Sequence, residues 1–428
     1  MNRTQMSALL WVVIALTFTA NPMKMSAQCS GAAGQNAVYA DCTTGATLGI
    51  QGSWAFIDAS AYTSTGDLCA RLHSIMSASG YPSNGAVIDA RGVLPASGTV
   101  QPCATNPWSG SLSVPSTILL PAGTIQLSVQ WPLPTGTRII GQGSGAPGGG
   151  VTTLQALSGT FPSNLALIRM IGASATSVED VALDGANVTG VNGITNTSSQ
   201  ELSYVKRVSM TNMVGTGLAV VSTAAQSGPY SDINFSTTSS SASTVCASIQ
   251  APTRGVHGLT CKGGGVAAST GVKLDAPNNS IEDVQISGFA DGIALGKALA
   301  APSNVLFNIK GGSGVTNVVH IASTTSTNVT IMNVAANGAT TTIQDDVTST
   351  TLSASANPTV GVYALGSAVS PGYSRFTTSP TAPSWVVGNS TPPTTGVSCP
   401  QGGLYSNTAG GSKTTWYVCE SNKWVDID

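Results

Sequence analysis

Ser177-Val-Glu-Asp-Val-Ala-Leu-Asp-Gly185 and Ser280-Ile-Glu-Asp-Val-Gln-Ile-Ser-Gly288 share Ser, Glu, Asp, Val and Gly at the same places, and two of their differences merely exchange Val or Leu for Ile. Around these two copies the pattern returns seven times, with centres assigned to Val181, Val208, Ile233, Leu259, Val284, Val305 and Val329. Each centre is followed two residues later by Leu183, Met210, Phe235, Cys261, Ile286, Phe307 or Ile331. The steps between centres are 27, 25, 26, 25, 21 and 24 residues. A self-similar period of this size marks a solenoid, and strict alternation around each centre makes the unit a strand rather than a helix.

Residues two apart on a strand share a face, so one set enters a core while its neighbours meet solvent. A second apolar run follows within most periods: Gly193-Ile194, Gly217-Leu-Ala-Val220, Gly271-Val-Lys-Leu274, Gly292-Ile-Ala-Leu295 and Val318-Val-His-Ile321. Short strands separated by Gly, Asn, Ser and Thr describe one coil of a parallel β-helix. A single coil cannot bury its own inner face, so stability must come from stacking.

The flanks fit this plan. Residues 1–27 read as a signal peptide: Arg3 supplies a positive start, Ala8 to Ala20 is apolar without a charge, and Met25-Ser26-Ala27 offers an imperfect cleavage site. A thirteen-residue run is short for a membrane span, so no stable insertion is expected after removal. Between Gly66 and Gly80 the period becomes helical, with Leu68, Leu72, Ile75 and Met76 on one face and Asp67 placed to cap the start. A helix there would cover the open end of the apolar core. Three less regular coils follow at Gly85 to Ala90, Ser116 to Gly123 and Thr137 to Gly143.

On the residues quoted, together with Asp67-Leu-Cys-Ala-Arg71, Ile118-Leu-Leu-Pro-Ala-Gly-Thr124 and Arg138-Ile-Ile-Gly-Gln-Gly143, the chain resembles the pectate-lyase-like superfamily, most nearly its polygalacturonase-related branch. The resemblance spans about Trp54 to Ile343. It implies an all-β fold: a single-stranded right-handed parallel β-helix over residues 28–365, with its N-terminal capping helix at 66–80. The superfamily includes polysaccharide lyases, glycoside hydrolases, epimerases, phage tailspikes and proteins without known activity, so a polysaccharide partner is the implied ligand class. Residues 366–398, rich in Pro, Ser and Thr, read as a linker. A small β module over 399–428 is expected to be closed by a disulfide and built on Tyr405, Trp416, Tyr417 and Trp424.

Composition limits the function classes. Only 8% of the 428 residues are charged and the net charge is -2, which points away from nucleic acid and from an anionic membrane surface. Eight cysteines suit an oxidising, extracellular compartment. Pairing sequence neighbours gives Cys29–Cys42, Cys69–Cys103, Cys246–Cys261 and Cys399–Cys419, with Cys261 also able to stay as a buried thiol.

Stacking places residues in columns ~4.8 Å apart per coil. One column reads Asp180, Arg207, Asp232, Gly258, Asp283, Asn304 and Asn328; the next reads Glu179, Lys206, Ser231, His257, Glu282, Ser303 and Thr327. As chemistry, Asp180, Asp184 and Arg207 are the candidate catalytic residues, with Glu179, Lys206, Asp232, Asp283 and Tyr204 as candidate substrate-binding residues. Calcium is the cation such carboxylates could hold, although acids two coils apart stand ~9.6 Å from each other, too far to share one ion. As architecture, alternating signs on adjacent coils form an exposed ion-pair ladder that selects coil register, and this reading is the stronger. Hydrolase signatures are fragmentary: Asp345-Asp346 and Gly255-Val-His-Gly258 lack companion segments. His73, His257 and His320 are assigned packing or surface roles, not a metal cluster. No Trp occurs between Trp131 and Trp385, so sugar stacking on the regular coils would depend on Tyr204 and Tyr230. Three functions follow in order: polysaccharide recognition with little or no catalysis, a lyase or hydrolase, and a fibre or adhesin subunit assembling as a homo-oligomer.

Overall fold

The computed structural model describes residues 55–62, 66–93, 100–145, 150–198, 200–221, 226–323, 326, 328–347, 350–355 and 359–365, and in the terminal unit 374–375, 384–388, 404–407, 416–421 and 423–426. Three parallel sheets run along a solenoid. The first stacks Ala55–Asp58, Ala86–Asp89, Ser116–Leu119 and Thr137–Ile140 onto the start of Ser177–Asp184. The second stacks Val100–Cys103, Gly123–Leu127 and Thr152–Ala156 onto the end of that same strand. From Ser177 onward, then, one bent strand per coil serves both sheets, through Tyr204–Thr211, Tyr230–Ser236, Val256–Leu274, Ser280–Leu295, Val305–Gly311 and Val329–Ala336.

The third sheet runs from Trp131–Leu133 and Ala166–Met170 through Asn192–Asn196, Thr216–Val220 and Val245–Ile249. It continues along the ends of Val256–Leu274 and Ser280–Leu295 to Asn317–Ile321 and Thr341–Asp345. The second apolar runs of the sequence all fall in this sheet, where their inward residues Ile194, Leu218, Val272, Ile293 and Val319, and Ile343 on the last strand, are fully buried. Burying such a side chain stabilises by about 1.5–3 kcal/mol, and each coil repeats that gain.

The bend between the first two sheets has a backbone cause. Asp180, Arg207, Asp232, Gly258, Asp283, Asn308 and Asn333 all have φ between 51° and 65°. Left-handed geometry suits Gly and is tolerated by Asp and Asn, whose short polar side chains bond locally. The acidic column of the sequence is therefore a corner first. Its last two members correct the sequence alignment, because Val284 pairs with Ile309 and Ile309 with Val334. Centres at Ile309 and Val334 make both final steps 25 residues. The expected positions were misled by Gly311 and Ala336, which are too small to look like core positions, while Val305-Phe307 and Val329-Ile331 mimic the apolar pair. Phe307 in fact faces outward, 43% exposed. The neighbouring column ends in Phe307 and Met332 rather than Ser303 and Thr327.

Asn304, expected in the charged column, sits inside a different ladder. Its amide donates to Ala301 O (2.7 Å) and Ala276 O (3.0 Å) and accepts from Asn279 N (2.7 Å). Asn279 in turn accepts from Thr253 N and Thr253 Oγ1, both at 2.8 Å. Backbone groups at this buried corner would otherwise lack partners.

The solenoid is closed at both described ends. The helix Leu68–Met76 begins where Asp67 accepts from Ala70 N (2.9 Å), and buries Leu68, Cys69, Leu72, Ile75 and Met76 in the main core. Cys69–Cys103 ties it to the second sheet, and Cys246–Cys261 joins two coils further on. At the far end, Thr350–Ser353 and Thr359–Leu365 pair antiparallel with the last rungs. This ends the parallel run without an open edge. A separate sheet carries Leu404–Asn407, Trp416–Glu420 and Lys423–Asp426, with Tyr405, Tyr417, Cys419 and Trp424 as its core. Ser374–Arg375 and Ser384–Gly388, from the stretch expected to be a linker, belong to it as well. Cys419 is disulfide-bonded; Cys399, Cys29, Cys42 and the signal segment lie outside the described residues. Among the described residues no helix is long and apolar enough to cross a membrane.

Candidate functional site

Four of the predicted site residues meet on adjacent coils. Arg207 donates to Asp180 through Nε (2.6 Å) and Nη2 (2.7 Å), a two-pronged guanidinium–carboxylate pair. Its Nη2 also lies 3.7 Å from Glu179 Oε2. Glu179 Oε1 accepts from the Tyr204 hydroxyl (2.7 Å) and from Arg138 Nη2 (2.9 Å), and Arg138 Nη2 donates to the Tyr204 oxygen as well (3.0 Å). Arg138 was visible in the sequence only as part of a structural motif. Its register opposite Ser177, one coil below Tyr204, places it here.

Two guanidiniums and two carboxylates thus cancel within the cluster. The hydrogen bonds from Arg207 hold the Asp180 carboxyl below its ordinary value, with burial opposing them. An acid so held is a poor proton acceptor at neutral pH. The bond also explains how Arg207 keeps a left-handed backbone that long side chains usually avoid.

The remaining candidates do not join this group. Asp184 lies at the far end of its strand, buried, accepting from Gln155 Nε2 (2.8 Å), Asn212 Nδ2 (2.9 Å) and Ala186 N (2.9 Å). It braces three coils. Asp283, four coils further along the same corner than Asp180, accepts from Asn308 Nδ2, while Asp232 and Lys206 make no ion pair among the described residues. Tyr230, expected as a sugar platform, is fully buried between Asn196 Nδ2 (2.8 Å) and Ser227 Oγ (2.7 Å) because its register with Val205 and Val256 turns it inward. His73 packs as expected, with Nδ1 3.1 Å from Pro107 O.

A second cluster escaped the sequence reading. On the third sheet, His320 Nε2 lies 2.9 Å from Asp346 Oδ2, and Nδ1 lies 3.1 Å from Asp291 Oδ1. The second contact is an ion pair whose N–H misses hydrogen-bond alignment. Lys297 Nζ reaches Asp291 Oδ2 (3.1 Å) and Thr270 Oγ1 (3.0 Å), and Asn317 Nδ2 donates to Asp291 Oδ1 (2.9 Å). The Asp291 carboxylate first, then Asp346, push the His320 imidazole up to about 9 against the effect of burial. Burial alone would raise Asp291, but His320, Asn317 and Lys297 overcome it and bring that carboxyl down to about 2.

The cluster could have been found by aligning the third-sheet runs, where Ala294, His320 and Gln344 share one column. The sequence alignment used the other strands. Asp345-Asp346 splits: Asp345 is buried and accepts from Val347 N (2.9 Å), whereas Asp346 faces His320. His257 is on a different sheet, 3.3 Å from Glu282. Asp291 and Asp346 hold opposite ring nitrogens, and among the described residues no group of three or more His, Cys, Asp or Glu converges as metal ligands.

No family model matches this chain, and no curated protein matches it. Among solved structures it is similar to the A-module of mannuronan C-5 epimerase AlgE6 from Azotobacter vinelandii, with 16% identity over 54% of this chain and 86% of that one (TM-score 0.25). The AlgE4 A-module from the same organism gives 14% over 54% and 88% (TM-score 0.24). ORF18 of Geobacillus virus E2 gives 10% over 76% and 80% (TM-score 0.26). Values of this size say nothing about reaction or ligand. The stacked parallel sheets themselves establish a parallel β-helix architecture.

Proposed function

We propose that this is an extracellular β-helix protein that recognises polysaccharide without turning it over. The observation that carries the reading is the engagement of all three candidate catalytic side chains: Asp180 and Arg207 by each other, Asp184 by three donors. Groups tied up in this way neither accept a proton nor attack. Polysaccharide is favoured because the outer columns are rows of hydrogen-bonding side chains at ~4.8 Å steps, such as Asn234, Thr260 and Gln285. A repeating surface matches a repeating ligand. Glu179, Tyr204 and Lys206 on the first sheet offer a further polar edge, with the half-buried Tyr204 ring as its aromatic element.

A second reading, an acid–base enzyme of the lyase or hydrolase class, is favoured by one observation, the His320 cluster. An imidazolium between two carboxylates with displaced proton affinities is a common feature of active sites. At neutral pH its imidazole is charged, so it would serve as proton donor.

The test is incubation of the full chain with polygalacturonate and a panel of neutral and acidic polysaccharides, with and without calcium. Retention of one polymer with no new chain ends is the expected result. New chain ends that disappear in His320→Gln would overturn it in favour of the enzyme.

A further inference from the structure

A hollow of about 210 Å³ opens on the outer face of the second sheet, over Val256–Leu274, Ser280–Leu295 and Val305–Gly311. Thr260, Gln285, Ser287, Lys310 and Asn337 line it, and the Gly311-Gly312 backbone leaves part of its floor without side chains. Thr260, Gln285 and Lys310 are consecutive members of one outward column. Beneath them Cys261 is buried and bonded to Cys246, which holds the rung in place.

What separates this hollow from both clusters already described is that its polar side chains are uncommitted. Among the described residues Lys310 makes no ion pair, and the side chains of Thr260, Gln285, Ser287 and Asn337 make no hydrogen bond. Lys262, one column over and opposite Ser287, is likewise exposed without an ion pair. No carboxylate lies on either outward column between Thr211 and Gly312. The strip is therefore a run of hydrogen-bonding side chains with two ammonium groups that no carboxylate compensates. Amide and hydroxyl donors around one lysine complement an oxyanion on a ring-sized ligand.

We propose that this hollow is a subsite for a saccharide unit bearing an oxyanion, either a carboxylate or a sulfate ester, with Lys310 opposite the anionic group and Gln285 and Asn337 toward ring hydroxyls. The inference rests on the polysaccharide reading above and places part of the contact on the second sheet, away from Glu179 and Tyr204.

The experiment measures affinity of the full chain for oligogalacturonate, its carboxyl-reduced neutral form and a sulfated galactan oligosaccharide. At least one anionic probe should bind more tightly than the neutral one. Lys310→Gln should weaken that probe about tenfold, as expected for loss of one charged hydrogen bond, and Gln285→Ala by a few-fold. Lys423→Gln, on the terminal sheet, should leave affinity unchanged, and all three exposed substitutions should leave the melting temperature unchanged. Preference between the two anionic probes distinguishes carboxylate from sulfate. Anionic probes that bind equally to wild type and Lys310→Gln would overturn the subsite and leave polysaccharide recognition standing. A preference for the neutral probe would overturn the oxyanion assignment. Failure of wild type to bind any polysaccharide of the wider panel would remove recognition itself, and the subsite with it.

Discussion

The corner at Asp180 and Arg207 and the hollow at Gln285 and Lys310 are made from the same bent strands, a few rungs apart, yet their polar groups are in opposite states. At the corner Asp180, Arg207, Glu179 and Arg138 have all found partners on neighbouring coils. In the hollow the side chains are exposed and unengaged. In a chain with few charges, the residues that stand out as a column are those that hold neighbouring coils together. Those left free for a ligand are ordinary Lys, Gln and Asn positions.

Substitutions can break or sharpen this contrast. The largest effect is expected from Asn304→Ala, deep in the committed class, which strands the Asn279 N–H and the Ala301 carbonyl at a buried corner and leaves Ala276 O only a long bond from Asn279 Nδ2 (3.3 Å). A loss of about 3 kcal/mol in urea unfolding is expected from unsatisfied buried groups; a loss below 1 kcal/mol would mean that water replaces the amide and that the inner ladder is dispensable.

Next comes the pH dependence of the His320 cluster. His320 has its affinity raised from 6.5 to about 9, so its stabilising contribution is full below pH 6.5 and fades as pH climbs through 9. Asp291 is lowered from 3.8 to about 2 and Asp346 is lowered too, so their contributions are present above pH 3.8 and fade as pH falls toward 2. The difference in melting temperature between wild type and His320→Gln should therefore be greatest between about pH 4 and 6.5 and shrink on both sides. A difference that does not vary with pH would show that the ring acts by packing alone.

Smaller still is Asp180→Asn, which keeps a residue suited to the left-handed corner and removes only the charge. Arg207 is 41% exposed, so the pair is screened and a loss of at most about 1 kcal/mol is expected. Binding to any retained polysaccharide should be unaffected. A large loss of affinity without loss of stability would move the corner from architecture to recognition. At the bottom of the scale, Gln285→Ala should change stability by less than about 0.5 kcal/mol, leaving its effect on affinity as the only readout.

Much of the scaffold was legible because solenoid packing repeats its demands every coil. Alternation at Val181-Leu183 and Val284-Ile286 specified strands, and Leu68, Leu72, Ile75 and Met76 specified a capping face, whereas the Asp, Asn and Gly column reads in sequence as a charged ladder and shows itself as a left-handed corner only through its backbone. Legibility failed where an inward position was filled by Gly311 or Ala336, since a small residue there can be mistaken for a turn. The site was less legible. Asp180 and Arg207 were aligned correctly, but their roles depend on which oxygen each nitrogen reaches. Tyr230 illustrates the same limit, being an aromatic whose burial depends on register alone.

Residue periodicity by itself determined that this chain coils into a parallel β-helix, because each repeat must bury the same face against its neighbours. Only the tertiary structure decided which charges are consumed and which are free. Arg138 and Glu179, or Asp291, His320 and Asp346, are a coil or more apart along the chain and become partners only through stacking. Whether a hydrogen-bonding group remains open to a ligand is a property of those through-space neighbours, which no single repeat contains.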